Sequence, residues 1–179
     1  MAYPDDFESA RLTAERLRAE HAAEIHRMHV DAQQMAFIGG VRTDDQTSEY
    51  MARSLAHWDT HGFGVWVLRD RTTRDVVGRV LLRVMPHEGV DEIELGYSFD
   101  PLVWGRGYAT EIGAVCLEHA RAHFGFSTFV ALTAPHHEKS QHVLRKLGFR
   151  LDGVIDRDGA TLALFRARAH SDRESGIDG

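Results

Sequence analysis

The sequence predicts one α+β domain built around a mixed, mostly antiparallel β-sheet. Three apolar stretches joined by polar turns lie within residues 63–99 and predict an antiparallel meander. A strand–helix–strand unit spans residues 93–133, and such a crossover makes its two strands parallel neighbours. Residues 149–168 predict a closing hairpin. The chain has 179 residues, which is long enough for one such domain with a buried core.

The N-terminal part is predicted to contain two helices after one ambiguous element. Residues 1–9 are polar, and we expect them to form a flexible N-terminus. Residues 10–17 alternate as a strand does, although their composition slightly favours a helix. Apolar residues recur at three- and four-residue spacing over residues 19–35 and predict the first helix. Thr43 is the predicted N-cap of the second helix, which Gly62 ends.

The predicted meander consists of three strands and two turns. The strands cover residues 63–68, 76–84 and 93–99, which are rich in apolar and β-branched side chains. Polar residues 69–75 form the first connection. Residues 85–89 contain proline and glycine and form the second.

The last third is predicted to alternate helices and strands. A helix over residues 109–124 leads to a buried strand at 128–133. A short helix over residues 138–147 follows, and Gly148 ends it. After the closing hairpin, the polar residues 169–179 are expected to be a disordered tail, so the predicted domain covers residues 10–168.

The stretch from Tyr97 to Glu111 indicates a binding site. Pro101 ends the preceding strand because proline has no N–H for the ladder. Gly105 and Gly107 then precede a helix, and glycines at such a place let the backbone approach a ligand closely. Free N–H groups at a helix start bind anions. The sequence therefore predicts a phosphorylated ligand on residues 105–110.

Composition narrows the classes of partner. The net charge of −6 argues against a nucleic acid as the main partner, since phosphate binding needs a surplus of Lys and Arg. It suits a cationic substrate such as an amine, although on charge alone a surface charged for solubility explains it better. The twelve histidines are scattered without metal-ligand spacing, so no metal site is predicted.

Location and covalent cross-linking are also predicted from the sequence. No apolar run reaches the length of a membrane helix, and the first residues lack the pattern of a secretory signal. The single cysteine, Cys116, excludes a disulfide within the chain. We expect a cytoplasmic protein with no membrane partner, either a monomer or a homodimer.

Three motifs in this order resemble the GNAT superfamily of N-acetyltransferases, and its RimJ/RimL-type branch in particular. They are Ile93-Glu94-Leu95-Gly96-Tyr97, then Trp104-Gly105-Arg106-Gly107-Tyr108-Ala109-Thr110-Glu111, then Ser140 with Leu147-Gly148-Phe149. Each motif alone is weak, and their order and spacing carry the resemblance over residues 10–168. It implies a seven-stranded sheet, splayed in the middle and flanked by about four helices. It also implies that residues 10–17 form the first strand.

The resemblance implies acetyl-CoA as co-substrate. The pantetheine would lie along Tyr97, Ser98 and Phe99. The pyrophosphate would lie on the helix start, with cofactor contacts from Trp104, Gly105, Arg106, Gly107, Tyr108, Ala109 and Thr110.

Three positions depart from the family pattern. Trp104 stands where Gln or Arg is usual, and His137 stands where the branch has Asn to bind the pantetheine. An imidazole can replace that amide. Leu144 stands where many relatives elsewhere in the superfamily carry a tyrosine acid.

Acetyl transfer to an amine needs a base, a donor for the developing oxyanion and a proton for the thiolate. The resemblance implies Glu94 as the base, whereas the strand alternation alone also fits a solvated polar face. Ser140 is the candidate acid or thiol donor, and a capping serine is its alternative interpretation. The backbone N–H of Phe99 is the candidate oxyanion donor.

These residues together predict an N-acetyltransferase that moves an acetyl group from acetyl-CoA directly to a primary amine. The amine belongs to a protein N-terminus or to a small molecule. The alternative is a catalytically inactive acyl-CoA-binding sensor or interaction module. A nucleotide-binding domain is disfavoured because no G-x-x-x-x-G-K-[ST] motif occurs.

Overall fold

The computed structural model describes residues 5–168, and within them the chain forms eight strands and five α-helices. The strands are β1 (Asp6–Glu8), β2 (Leu12–Arg16), β3 (Val65–Asp70), β4 (Val76–His87), β5 (Val90–Phe99), β6 (Thr128–Thr133), β7 (Arg150–Arg157) and β8 (Ala160–Arg168). The helices are α1 (Ala22–Val30), α2 (Ala32–Met35), α3 (Asp44–His61), α4 (Tyr108–Phe124) and α5 (Glu138–Lys146). The predicted disordered tail, residues 169–179, lies outside the described residues, as do residues 1–4.

The strands form one sheet in the order β1-β2-β3-β4-β5-β6-β8-β7. In the described part of the chain every neighbouring pair is antiparallel except β5 and β6, which α4 connects as a crossover. The predicted α+β class and the mixed, mostly antiparallel sheet are therefore confirmed. Residues 12–16 form a strand, as the resemblance implied and as helix propensity alone did not.

The sheet contains one strand more than predicted because residues 6–8, which were expected to be loose, pair with β2. Phe7 lies opposite Ala14 in this pair. Its ring packs edge-on against Trp66 at a centroid distance of 5.3 Å and is buried. One aromatic residue thus attaches an otherwise polar segment to the core.

The predicted helix over residues 19–35 is divided. A 3₁₀ turn (Ala19–His21) precedes α1, and Asp31 separates α1 from α2. Asp31 has extended dihedral angles, and its carboxylate accepts a hydrogen bond from the N–H of Gln34 at 2.8 Å. An aspartate that caps a new helix ends the preceding one, since its side chain replaces an intrahelical backbone bond. After the break, the Gln34 side-chain amide on α2 donates a hydrogen bond to the Ser98 hydroxyl on β5 at 3.1 Å.

The β4–β5 hairpin is longer than predicted. The predicted turn at residues 85–89 shortens to Glu88 and Gly89, whose φ values are 49° and 79°. Two consecutive residues in this conformation form the tight turn that matches the twist of a hairpin. The register consequently pairs Arg83 with Glu94 and Arg79 with Ser98, so all four side chains lie on one face.

β5 and β6 separate soon after they meet. Their single paired position is Glu94 with Val130, beyond which the two strands diverge. On one face of the sheet, α4 packs over a core that contains Trp66, Phe129 and Phe165. On the other face, a second core lies under α1 and α3. The predicted splay is present, and it opens between strands β1–β5 on one side and β6, β8 and β7 on the other.

Gly78 is required where β4 and β5 approach most closely. An added Cβ at Gly78 would lie 2.3 Å from the carbonyl oxygen of Ser98, a backbone atom that cannot rotate away. We expect Gly78→Ala to lower the free energy of unfolding by about 3 kcal/mol, measured by urea denaturation. Gly96→Ala is the matched control because its Cβ would meet only the flexible side chain of Leu81 at 3.1 Å. Equal losses in the two variants would contradict the steric explanation.

Candidate functional site

The splay between β5 and β6 contains a cavity of about 860 Å³. Its walls come from the C-terminal halves of these two strands, from β4, from α2 and α3, from the start of α4 and from α5. The volume is in the range of cofactor and ligand sites. Every residue predicted for the site except Arg106 lines this cavity.

The free edge of β5 offers backbone groups to the cavity. Asp100 donates its N–H to the carbonyl oxygen of Val77 on β4 at 2.8 Å. Since alternate residues of an antiparallel strand face the same neighbour, Ser98 also turns to β4, while Tyr97 and Phe99 turn toward the splay. The indole of Trp104 already binds the Phe99 carbonyl at 2.8 Å, on that side. The N–H groups of Tyr97 and Phe99 therefore point to where a ligand strand would add.

The start of α4 forms a cradle for an anion. Gly105 and Gly107 have φ values of 78° and 79°, in the left-handed region. Gly107 is the N-cap and provides no side chain to the first turn. The first intrahelical bond joins the Glu111 N–H to the Gly107 carbonyl, so the N–H groups of residues 108–110 precede it without helical partners. These groups and the helix dipole attract a phosphate.

Hydrogen bonds fix the cradle to the edge of the sheet. The Glu111 carboxylate accepts bonds from the Ser9 hydroxyl at 2.6 Å and from the backbone and side chain of Arg11 at 2.8 and 2.7 Å. Burial alone would raise the pKa of Glu111, but these bonds outweigh it and lower the pKa. The Tyr108 hydroxyl donates to Asp70 at 2.6 Å. The predicted phosphate site is thus held rigidly.

Arg106 does not line the cavity. Its side chain is exposed and interacts with Tyr108 and Asp70 at the rim. Only its backbone belongs to the cradle.

Ser140 and Tyr97 form a hydrogen-bonded pair in the cavity wall. The Tyr97 hydroxyl lies 3.1 Å from the Ser140 Oγ and 3.2 Å from the Ser140 carbonyl oxygen, to which it donates. Burial raises the pKa of Tyr97 to about 12, although the Ser140 bond opposes this. The phenol therefore stays protonated. The sequence identified Ser140 but used only the backbone of Tyr97.

His137 stacks on Phe37 at the mouth of the cavity. Their ring centroids are 3.9 Å apart, and the ring planes differ by 9°. Burial, with His136 and Lys139 nearby, lowers the pKa of His137, so its imidazole is neutral at pH 7. A neutral imidazole has one N–H to donate, which the predicted contact to pantetheine needs.

Glu94 lies at the closed end of the splay and is 5% exposed. Its carboxylate accepts two bonds from the Arg83 guanidinium, at 2.7 and 3.0 Å. Arg157 approaches the same carboxylate at 3.5 Å. Glu94 is therefore neither solvated nor loose, because two arginines fix its orientation toward the cavity. The alternative of a solvated polar face does not describe this side chain.

Sequence reasoning missed a second polar group on the same face. Arg42 and Arg79 both approach the Nε2 of His29, at 3.4 and 2.7 Å, and both guanidinium groups lie over the ring of Tyr50. All but His29 line the cavity. The available signal was Arg79 itself, a charge inside the apolar strand Val76–His87. Its partners come from other elements and have no common spacing.

The buried His29 makes stability depend on pH. Burial, with the charges of Arg79, Arg42 and His26, lowers the pKa of His29 from 6.5 to about 3. Between these two pKa values, His29 carries a proton in the unfolded chain but not in the folded chain. We therefore expect stability to fall from pH 6.5 downward, with a His29 contribution of about 2 kcal/mol at pH 5.

Urea denaturation at pH 7 and pH 5 measures this contribution. His29→Gln should lose less stability than the parent protein over that interval. His57 and His137, whose pKa values are also lowered, remain in both proteins and cancel in the comparison. An equal loss in parent and variant would refute the assignment to His29.

Two further properties of residues 5–168 bear on function. In this part of the chain no three His, Cys, Asp or Glu side chains are grouped so as to hold a metal ion. Over the same residues no helix is both long enough and apolar enough to cross a bilayer.

Comparisons with known proteins agree with this architecture. The acetyltransferase (GNAT) domain family matches residues 11–150. YkkB, an uncharacterized protein of Bacillus subtilis, is 24% identical over 141 residues, which cover 79% of this chain and 82% of YkkB.

Two solved structures show the same fold. An acetyltransferase from Agrobacterium tumefaciens has a TM-score of 0.80 and 23% identity, covering 94% of this chain and 96% of that one. RimL, a ribosomal-protein alpha-N-acetyltransferase in complex with coenzyme A, has a TM-score of 0.74 and 15% identity, covering 96% and 100%. The family match extends from β2 to the start of β7 and includes the cradle and the splay. The chain therefore belongs to the GNAT family of acetyltransferases.

Proposed function

We propose that this protein is an N-acetyltransferase of the RimJ/RimL type, which transfers the acetyl group of acetyl-CoA directly to a primary amine. The observation that carries the proposal is the splay itself. It joins an anion cradle at Gly105 and Gly107 to a free strand edge at Tyr97 and Phe99, with Glu94 beyond that edge. The family supplies the co-substrate, and the similarity to RimL supports the branch.

The residues present fit acetyl-CoA. Backbone N–H groups of the cradle suit a pyrophosphate because they bind anions without a side chain. The outward-facing backbone groups of Tyr97 and Phe99 suit the pantetheine amides, which would lie along β5 as an added strand does. His137 is placed to donate one further bond from the opposite wall.

Glu94 is the proposed base. The incoming amine must lose a proton, since an unperturbed lysine-type amine has a pKa of about 10.4. Glu94 faces the cavity on the side of the sheet that carries Arg83 and α1–α3 and takes this proton, while Arg83 holds the carboxylate in one rotamer. The sequence predicts the Phe99 N–H as the donor to the negative charge that develops on the carbonyl oxygen, but Phe99 lies nearer to the cradle and suits the pantetheine. The Tyr97 N–H, which faces the splay nearer to Glu94, is the proposed donor.

Ser140 is the proposed proton donor to the thiolate that leaves when the C–S bond breaks. Its hydroxyl lies in the opposite wall, on α5, and Tyr97 holds it. The amine nitrogen adds to the acetyl carbonyl and gives its proton to Glu94. The C–S bond breaks when the resulting oxyanion collapses, and Ser140 protonates the leaving thiolate and regains a proton from solvent when the products leave. No covalent enzyme intermediate is required.

We expect Ser140→Ala to lower kcat about tenfold or more without an equal loss of coenzyme affinity, because the thiolate loses its donor. Tyr97→Phe should give a smaller loss, since it removes only the group that orients Ser140. The assay follows thiol release from acetyl-CoA with a panel of primary amines, and calorimetry measures coenzyme binding. Arg145→Ala on the same helix is a control because its side chain is exposed, does not line the cavity and makes no hydrogen bond to Tyr97 or Ser140.

Three outcomes of this assay would count against the proposal. Equal losses of kcat and affinity in Ser140→Ala would assign this residue to positioning alone. Binding of acetyl-CoA without acetylation of any amine would favour an inactive sensor. Absence of coenzyme binding would refute both functions.

A further inference from the structure

Two arginines at one end of the cavity lack a carboxylate partner. Arg79 is 5% exposed, and in the described residues neither Arg79 nor Arg42 has an acidic side chain within 4.0 Å. Their shared protein contact is the Nε2 of a buried histidine, His29. Arg83, the third arginine that lines the cavity, is neutralised by Glu94. A buried guanidinium without an anion is costly and needs a ligand to complete it.

Tyr50 adds a second unsatisfied group at the same place. Its side chain is 7% exposed and lines the cavity, and its hydroxyl has no hydrogen-bond partner. Both guanidinium groups lie over its ring, and their central carbons are 5.1 Å (Arg42) and 4.7 Å (Arg79) from the ring centroid. Two guanidinium groups and one free hydroxyl together offer donors that match the oxygens of a carboxylate.

The position of this group relative to Glu94 follows from the strand register. Arg79 lies opposite Ser98, and Arg83 lies opposite Glu94, on the same face of the sheet. Arg79 and Arg83 are four residues apart on β4, so their Cα atoms are about 13 Å apart. The face on which Glu94 would receive the amine therefore continues to the unpaired arginines. We define the carboxylate subsite as Arg42, Tyr50 and Arg79.

We propose that the acceptor is a primary amine that also carries a carboxylate, with the amine at Glu94 and the carboxylate bound by Arg42, Tyr50 and Arg79. This inference rests on the proposed acetyltransferase function and names its substrate class. The carboxylate belongs either to a free amino acid or to an acidic side chain near a peptide N-terminus. The chemistry that the subsite recognises is the same in both.

The subsite also separates this substrate class from simple amines. Arg42 and Arg79 can bind the oxygens of a carboxylate, whereas a simple cationic amine has no group for them to bind. The proposed acceptor carries one negative and one positive charge, so it complements the arginines at one end of this face and Glu94 at the other.

The experiment compares matched acceptors with acetyl-CoA as donor. One arm uses ω-amino acids of rising length and their carboxamides, which also measures the span between amine and carboxylate. The other arm uses peptide amides that begin Ala-Asp or Ala-Asn. We expect kcat/KM to favour the acid over its amide on the order of a hundredfold in at least one arm, and the arm identifies the source.

The variants assign this preference to the subsite. Arg79→Gln, Arg42→Gln and Tyr50→Phe should each reduce the ratio of acid to amide, chiefly by slowing the acid. Arg53→Gln makes the same change of charge on the exposed side of α3 and should leave the ratio unchanged. Circular dichroism shows whether each variant is folded. If Arg79→Gln does not fold, the acid-to-amide ratios of Tyr50→Phe and Arg42→Gln test the inference.

The other outcomes of this experiment contradict either the carboxylate subsite or the acetyltransferase function. Equal use of acids and amides, or a ratio that none of the three variants changes, overturns the inference and leaves the acetyltransferase function standing. A preference for succinyl-CoA over acetyl-CoA that Arg79→Gln abolishes also overturns it, since the arginines would then recognise the acyl group. Acetylation of no member of either series refutes the proposed function, and the inference with it.

Discussion

Replacing Glu94 with glutamine is expected to lower kcat on the order of a hundredfold and to change the affinity for acetyl-CoA less than about threefold. Glutamine has the same shape and its one amide oxygen can still accept a hydrogen bond from Arg83, but it cannot accept the proton of the amine. Glu94 lies at the closed end of the cavity, away from the cradle that would hold the coenzyme. Steady-state kinetics and calorimetry on the same protein separate the two quantities.

Glu92 provides a matched control for Glu94. It lies two residues earlier on the same face of β5 and is likewise paired with an arginine, Arg166. Glu92 does not line the cavity. Glu92→Gln should therefore lose about as much stability from its broken ion pair as Glu94→Gln does, but its kcat should stay within about threefold of that of the parent protein. Comparable losses of kcat in both variants would show that the ion pairs, and not a proton transfer, account for the effect.

Replacing Gly107 with valine is expected to raise the dissociation constant of acetyl-CoA on the order of a hundredfold. Gly107 has a φ of 79°, which a β-branched residue adopts only with strain, so the cradle would lose the direction of its N–H groups. A Cβ there would meet just one protein atom, the Arg11 Nη2 at 3.6 Å, an ordinary contact. The open space beside Gly107 is thus the space that a bound pyrophosphate would need.

Gly125 is the matched control at the other end of the same helix. It is the C-cap of α4 with a φ of 67°, and an added Cβ would meet no atom within 4 Å. Gly125→Val should therefore cost similar stability, read by thermal denaturation, without changing coenzyme affinity. Equal weakening of coenzyme binding in the two variants would indicate a general loss of structure and contradict the proposed cradle.

The charge of the whole chain does not describe the charge of the site. The net charge of −6 suits a cationic substrate, whereas three arginines and two lysines line the cavity against two glutamates, Glu94 and Glu138. Surface charge governs solubility and long-range attraction, but the groups within contact distance select the ligand. The acceptor is therefore inferred from those groups.

The sequence by itself determined the fold class, the crossover between β5 and β6, and the place of the cradle. Each depends on a local pattern: the alternation of the meander, the length of the α4 segment, and the glycines at 105 and 107. The position of Glu94 and Ser140 followed from the resemblance, because their spacing from these motifs is part of the family pattern. Their roles stay proposals that the variants above test.

The tertiary structure decided what depends on contacts between distant segments. Phe7 forms a strand because Trp66 receives its ring, and Asp31 divides a helix that periodicity predicts as continuous. The carboxylate subsite gathers Arg42, Tyr50 and Arg79 from a loop, α3 and β4. Local periodicity contains no record of such a grouping, since it arises only when the helices pack on the sheet.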